Sequence, residues 1–188
     1  MTNPDSKKPM IVVGVTASIA AFKAADIVSR LRKADCNLHV VMTPDATKLV
    51  APLTFQTLSR NPVLIDLFEE QPGWQPGHIE LADQADLFLI APATANAIAE
   101  LALGLASNAL GAIALATLAP LLIAPAMNGK MWQHPAIQGH VETLRHRGSQ
   151  FVGPQAGDLA CGYQGMGRLA EPEQIVQAAL RLLEQREG

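Results

Sequence analysis

Past a polar opening, Met1 to Pro9, the chain turns apolar at once. Met10 to Val15 is a continuous hydrophobic run, the mark of a strand buried on both faces of a parallel sheet. A helical period follows, with Ala20, Ala24, Ile27, Val28 and Leu31 on one face and Lys23, Arg30 and Arg32 off it. Asn37 to Met42 predicts a second strand, and Pro44 and Pro52 each open a short helix, the latter running towards Arg60. A Pro/Gly-rich loop spans Gln71 to Gly77, and a short helix spans His78 to Asp83. A strand is expected over Asp86 to Ala91, and a helical region over Thr94 to Leu118, broken near Gly104. Leu121 to Ala124 predicts a strand, Pro135 to Arg147 a helix, and Gln150 to Val152 a last short strand. A glycine-rich loop (Gly157, Gly162, Gly165, Gly167) then leads to a final helix from Glu171-Pro172-Glu173 to about Arg186.

Strands alternating with helices predict an open parallel sheet covered on both faces. The expected fold is therefore α/β, a three-layer αβα Rossmann-like domain occupying residues 10–188 behind a disordered polar tail, residues 1–9. In such sheets ligands sit outside the carboxyl ends of the strands. The 188 residues suit one domain with a sizeable core.

Composition narrows the choice of partner. Only 16% of residues are charged and 4% aromatic, while 49% are hydrophobic, so the core is alanine and aliphatic, and some apolar surface is expected to meet another subunit. A net charge of −3 with no long basic run points away from nucleic acid and anionic membranes. Leu101 to Met127 carries no charge and is long enough to cross a bilayer, yet Gly104, Pro120 and Pro125 make it a buried helix followed by a strand. Cys36 and Cys161 are far apart and outside any CxxC pair, which gives no disulfide framework and no metal site. Cys36 reads as a small buried hydrophobe. A polar start without an apolar core is no signal peptide, so the expected location is the cytoplasm.

The chemically odd segments fall at strand ends. Gly14-Val15-Thr16-Ala17-Ser18-Ile19-Ala20-Ala21 lacks the glycines of a dinucleotide fingerprint. Its helix start and Ser18 can hold a phosphate, or Ser18 is an ordinary N-cap. In Ala91-Pro92-Ala93-Thr94-Ala95-Asn96 the alanines let a flat ring approach the backbone; Thr94 and Asn96 supply hydrogen bonds, or Thr94 caps a helix. Ala124-Pro125-Ala126-Met127-Asn128 repeats the style, and Asn128 can donate to a carboxylate or cap the next turn. His78 opens a helix, where the dipole disfavours a positive charge and favours an imidazole that accepts a proton. His39, His134, His140 and His146 read as surface residues. Cys161 lies in a stretch too glycine-rich to be core, which is expected to be a mobile lid carrying a thiol.

Taken together, four segments in order resemble the homo-oligomeric flavin-containing cysteine decarboxylases. They are GVTASIAAFK (Gly14 to Lys23), HIELADQADLFLIAPATANAIAELALG (His78 to Gly104), PAMN-x-x-MW (Pro125 to Trp132) and LACG-x-x-G-x-GRLAEP (Leu159 to Pro172). Ala17, Gln84 and Ser107 stand where the family commonly has Gly, Trp and Asp. The resemblance implies FMN bound by Gly14, Thr16, Ser18, Ile19, Thr43, Pro92, Ala93, Thr94 and Asn96. It makes His78 the catalytic base, Cys161 the proton donor of a reductive step, and Asn128 the ligand of the substrate carboxylate beside Met127 and Ala126. Arg168 and Lys130 are candidates for a substrate phosphate. It also implies trimers, alone or gathered into dodecamers, with FMN between subunits, and a phosphopantothenate–cysteine ligase as a fused or separate partner.

The implied reaction is decarboxylation of 4'-phosphopantothenoylcysteine to 4'-phosphopantetheine, on the route to coenzyme A. Losing CO2 directly would leave a carbanion that nothing in the substrate absorbs. Prior oxidation of the carbon bearing sulfur gives a thioaldehyde, whose C=S group lies β to the carboxylate and accepts the electrons. Three rivals follow from the same residues. A peptidyl-cysteine decarboxylase would stop at the enethiol and have no use for Cys161. A flavin prenyltransferase would match poorly at His78 and PAMN, and a non-catalytic FMN-binding regulatory subunit would typically lack one of the catalytic groups.

Overall fold

Six parallel strands form one sheet in the order β3-β2-β1-β4-β5-β6. They are β1 (Met10–Val15), β2 (Asn37–Met42), β3 (Val63–Leu64), β4 (Leu87–Ala93), β5 (Leu121–Pro125) and β6 (Gln150–Phe151). This computed structural model describes residues 8–68, 77–160, 162 and 164–187. The expected polar tail before residue 8, loop residues 71–76 and Cys161 lie outside them.

The helices divide between the two faces, as alternation of side chains along each strand requires. Ile11, Val13, Leu38, Val40, Leu87 and Leu89 point to the face covered by α1 (Ala21–Lys33), α2 (Pro52–Ser59) and α8 (Pro172–Glu187). Met10, Val12, Val41, Phe88 and Ile90 point to the other. There lie α3 (Gly77–Gln84), α4 (Ala95–Leu103), α5 (Ala109–Ala116) and α7 (Pro135–His146). Every residue of β1 and β4 is buried, which explains their unbroken apolar runs. Gly14 is needed in β1 because α5 packs directly on it: a Cβ there would meet Leu110 Cδ1 at 2.9 Å. Cys36 is fully buried, as expected, and burial together with nearby Asp35 pushes its thiol up to about 11.

The charge-free stretch resolves into the end of α4, then α5 and β5. Gly104 ends α4 in a left-handed conformation (φ 69°), and Asn108 caps α5 by accepting from Gly111 N. Among the described residues no helix is long and apolar enough to cross a membrane.

The structure corrects the sequence reading in four places. β4 runs on through Pro92 and Ala93 instead of ending at Ala91. The two-residue edge strand β3 and the short helix α6 (Gly129–Gln133) were not anticipated. The glycine-rich loop is a second sheet: β7 (Gln155–Asp158) pairs antiparallel with β8 (Gln164–Arg168). Neither strand has an apolar stripe to announce it. The hairpin is held by backbone contacts that only glycines allow. Met127 N donates to Gly167 O at 3.0 Å, a Cβ on Gly167 would lie 2.3 Å from Met127 O, and one on Gly129 would lie 2.6 Å from Met166 O.

Candidate functional site

The strand order reverses direction between β1 and β4, and the first connection leaves β1 towards β2 while the later ones leave β4 towards β5. At such a switch point the loops diverge and open a crevice at the carboxyl ends of the strands. Thr16 ties the two sides together. Its Oγ1 donates to Pro92 O at 2.8 Å and accepts from Thr94 N at 3.0 Å, and Thr16 N donates to the same Pro92 oxygen at 3.3 Å. At 1% exposure this hydroxyl is a buried clamp.

Two adjoining clefts open above the clamp. The first, of about 290 Å³, lies between the β1 turn (Ala17 to Ala20), the β5 turn (Ala126 to Asn128) and the hairpin residues Leu159, Gly167 and Leu169. Among the described residues no charged side chain lines it. The second, of about 520 Å³, lies between Thr16, Thr43, the start of α4 and the α4–α5 turn, where Glu100, Ser107 and Asn108 form its far rim. Ala17, Thr94, Ala95 and Met131 line both clefts.

Local geometry decides several open alternatives. Thr94 is the N-cap of α4, accepting from Ala97 N at 3.2 Å, and it also faces both clefts. Ser18 is not the N-cap of α1. That position is Ala20, which has no side-chain cap, and Ser18 Oγ accepts only a long bond of 3.4 Å from Ala20 N. The N–H groups of Ala17 and Ile19 have no acceptor among the described residues, so the turn before α1 presents open donors at the cleft. Asn128 Oδ1 accepts from Lys130 N at 2.9 Å. Thr43 Oγ1 is buried and has no partner among the described residues.

The fold thus gathers Thr16, Ser18, Ile19, Thr43, Thr94, Asn96, Ala126, Met127 and Asn128 around one trench. Gly14, Pro92 and Ala93 lie beneath it as packing and clamp residues and line neither cleft. Arg168 does not line either cleft: its Nη2 pairs with Glu171 Oε1 and its side chain lies against Gly157. His78 stands in the first turn of α3, also outside the lining of both clefts. Cys161 lies between β7 and β8 in sequence, outside the described residues. Sequence reading missed Met131, Leu159, Leu169 and Glu100. All four lie inside segments of the resemblance: Met131 in PAMN-x-x-MW, Leu159 and Leu169 in LACG-x-x-G-x-GRLAEP, and Glu100 in the segment from His78 to Gly104.

The sequence model of the flavoprotein family matches residues 1–184, and the chain belongs to that family. Among curated proteins, it is 47% identical over 169 residues to the coenzyme A biosynthesis bifunctional protein CoaBC of Bacillus subtilis, covering 90% of this chain and 42% of that protein. It is 43% identical to the "Probable phosphopantothenoylcysteine decarboxylase" of Streptococcus mutans, covering 89% of this chain and 94% of that one. The chain spans less than half the length of the bifunctional relatives. Among solved structures, a PPC decarboxylase mutant complexed with pantothenoylaminoethenethiol superposes with a TM-score of 0.84 at 29% identity, over 95% of this chain and all of that one. The FMN-dependent cysteine decarboxylase SpaF does so with 0.82 at 30% identity, over 94% and 97%.

Proposed function

We propose that the chain is an FMN-dependent decarboxylase of 4'-phosphopantothenoylcysteine. The observation that carries the proposal is the trench at the β1/β4 switch point, which puts Thr94 and the open N–H groups before α1 in one cleft with Asn128, and Thr94 and Asn96 in the cleft that adjoins it. Likeness to the Streptococcus mutans protein along nearly its whole length supports the substrate. The SpaF likeness supports the cofactor.

The residues present fit FMN. Thr43 Oγ1, buried and unpartnered among the described residues, is a hydroxyl at the second cleft that a bound flavin would satisfy. The open Ala17 and Ile19 N–H groups suit a phosphate. Ala17, Ala95 and Ala97 offer a floor of small side chains to a flat ring. When bound, FMN would accept a hydride from the carbon bearing sulfur and later return it.

The chain's own groups do the rest. Asn128 donates to the substrate carboxylate and turns the breaking C–C bond into overlap with the C=S group of the thioaldehyde. His78 takes the thiol proton as that group forms. CO2 leaves with its bonding pair going to the thioaldehyde, and an enethiolate remains. Cys161 gives the proton that accompanies hydride return, which yields the saturated thiol. His78 lies off the trench of its own chain, so we read the working assembly as a homo-oligomer, a trimer or a dodecamer, in which a neighbour completes the site. Exposed Ile19, which lines the first cleft, with Phe22 three residues further along the chain in α1, supplies apolar surface for that contact. A phosphopantothenate–cysteine ligase, fused or separate, is the proposed partner that supplies the substrate.

The test is product identity. The FMN-loaded protein should turn 4'-phosphopantothenoylcysteine over repeatedly to CO2 and 4'-phosphopantetheine. Cys161→Ser should release CO2 about once per flavin and leave an enethiol, because an alkyl hydroxyl is a far weaker acid than a thiol. An enethiol as the end product of the unaltered protein would favour the peptidyl-cysteine type of reaction instead.

A further inference from the structure

We propose that Glu100 is a positioning residue: it fixes the Asn96 amide with its oxygen turned to the cleft, so that position 96 recognises a hydrogen-bond donor of the bound flavin. The inference rests on the FMN reading given above.

Glu100 is half-buried on α4 and lines the second cleft. Its Oε1 accepts from Asn96 Nδ2 at 3.0 Å and from Ser107 Oγ at 3.2 Å, and its Oε2 accepts from Asn108 Nδ2 at 3.4 Å. No cation pairs with it among the described residues. A carboxylate can only accept, so each of these neighbours must turn a donor towards it. For Asn108 that fits its other duty, since Oδ1 is already committed to Gly111 N at 3.0 Å. For Asn96 the consequence reaches the ligand. With Nδ2 held by Glu100, Oδ1 is the end left to the cleft, and it accepts no hydrogen bond among the described residues.

Asn96 without Glu100 would be ambivalent, able to offer either end of its amide. The charge removes that freedom, because reversing the amide would set oxygen against carboxylate. Position 96 therefore selects a donor. FMN carries two kinds, the imide N–H of the ring and the ribityl hydroxyls. A carboxylate rim would repel the phosphate, which the N–H groups at the other side of the trench suit better.

The readout is FMN affinity of the apoprotein, followed by quenching of flavin fluorescence, with thermal unfolding of each apoprotein as a second measurement. Glu100→Gln lets the Asn96 amide reverse and should weaken FMN binding roughly fivefold to tenfold, the scale of one hydrogen bond. Asn96→Asp sets two carboxylates one helical turn apart and should weaken it at least as much. The double variant Asn96→Asp/Glu100→Gln restores the pattern with roles exchanged. The amide now at position 100 would donate to the carboxylate now at position 96, which again turns an acceptor to the cleft. Its affinity should return to within about twofold of the starting protein. A role confined to holding the α4–α5 turn would make FMN affinity follow unfolding temperature in all three variants, and the double variant would not recover. That result, or unchanged affinity in Glu100→Gln, overturns the proposal. Repeating the cycle with 3-methyl-FMN separates the two donors, since the Glu100→Gln penalty should vanish if Asn96 faces the imide and persist if it faces a hydroxyl. An unaltered protein that binds no FMN would overturn the cofactor reading itself, and this inference with it.

Discussion

Thr16→Val removes the clamp between β1 and β4 while keeping the shape of the side chain. The Oγ1 makes two bonds, to Pro92 O at 2.8 Å and from Thr94 N at 3.0 Å, at a site only 1% exposed. The Pro92 oxygen keeps a weaker bond from Thr16 N at 3.3 Å. Thr94 N is left without its acceptor. One hydrogen bond lost at about 1 kcal/mol, plus one stranded part-buried donor at about 1–3 kcal/mol, gives roughly 2–4 kcal/mol of destabilisation. For a chain of this length that corresponds to a fall in Tm of roughly 5–10 °C. Thr16→Ser keeps both bonds and loses one methyl, at about 1 kcal/mol. The assay is denaturant and thermal unfolding of the two variants beside the starting protein, with FMN affinity measured in parallel. Thr94 caps α4 and faces both clefts, so Thr16→Val should also bind FMN more weakly than Thr16→Ser. A Thr16→Val protein as stable as Thr16→Ser, with equal affinity, would refute the clamp.

Gly167→Ala should lift the hairpin from the β5 turn, because its Cβ would meet the Met127 backbone oxygen at 2.3 Å and φ is 144°. We expect a loss of roughly 1–3 kcal/mol and faster amide exchange over residues 164–168; unchanged exchange would contradict the packing. His39, expected at the surface, is instead half-buried in β2, and burial holds it below its ordinary pKa of 6.5, with Glu80 acting in the opposite direction. The unfolded chain then takes the proton first, so this contribution is full above the ordinary value and is lost as pH falls through it. His39→Gln should flatten the fall in Tm between about pH 7.5 and 5.5, and an unaltered slope would clear His39 of the effect. His78→Asn should retain FMN and slow CO2 release roughly a hundredfold; near-normal turnover would assign the base elsewhere.

Much of the fold was legible because its central strands β1 and β4 are buried on both faces and therefore unbroken in the sequence. The prolines at 44, 52 and 135 and Gly104 marked helix ends where the structure has them. The hairpin β7–β8 escaped notice because glycines and backbone contacts hold it, and these leave no hydrophobic period. The continuation of β4 through Pro92 was hidden by a residue that ordinarily ends strands. Half of the site could be read for the same reason that the sheet could. Small and hydroxyl residues at strand ends are conspicuous against apolar runs, and Ser18, Thr94, Asn96 and Asn128 do meet at one trench. Glu100 could not be read this way. It looks like any solvated helix residue until the α4–α5 turn folds back and brings Ser107 and Asn108 to it. Nor could sequence separate Gly14, which serves α5 packing, from the residues that line the clefts.

On the proposed function, a flavin in this trench is required for loss of a cysteine-derived carboxylate, and reconstitution of the apoprotein is the deciding experiment. Apoprotein stripped of flavin is given 4'-phosphopantothenoylcysteine labelled in the cysteine carboxylate, and labelled CO2 is counted before and after FMN is added. We predict no release from the apoprotein and sustained release once FMN is bound. Equal release without flavin, or none with FMN bound at full occupancy, would contradict the account.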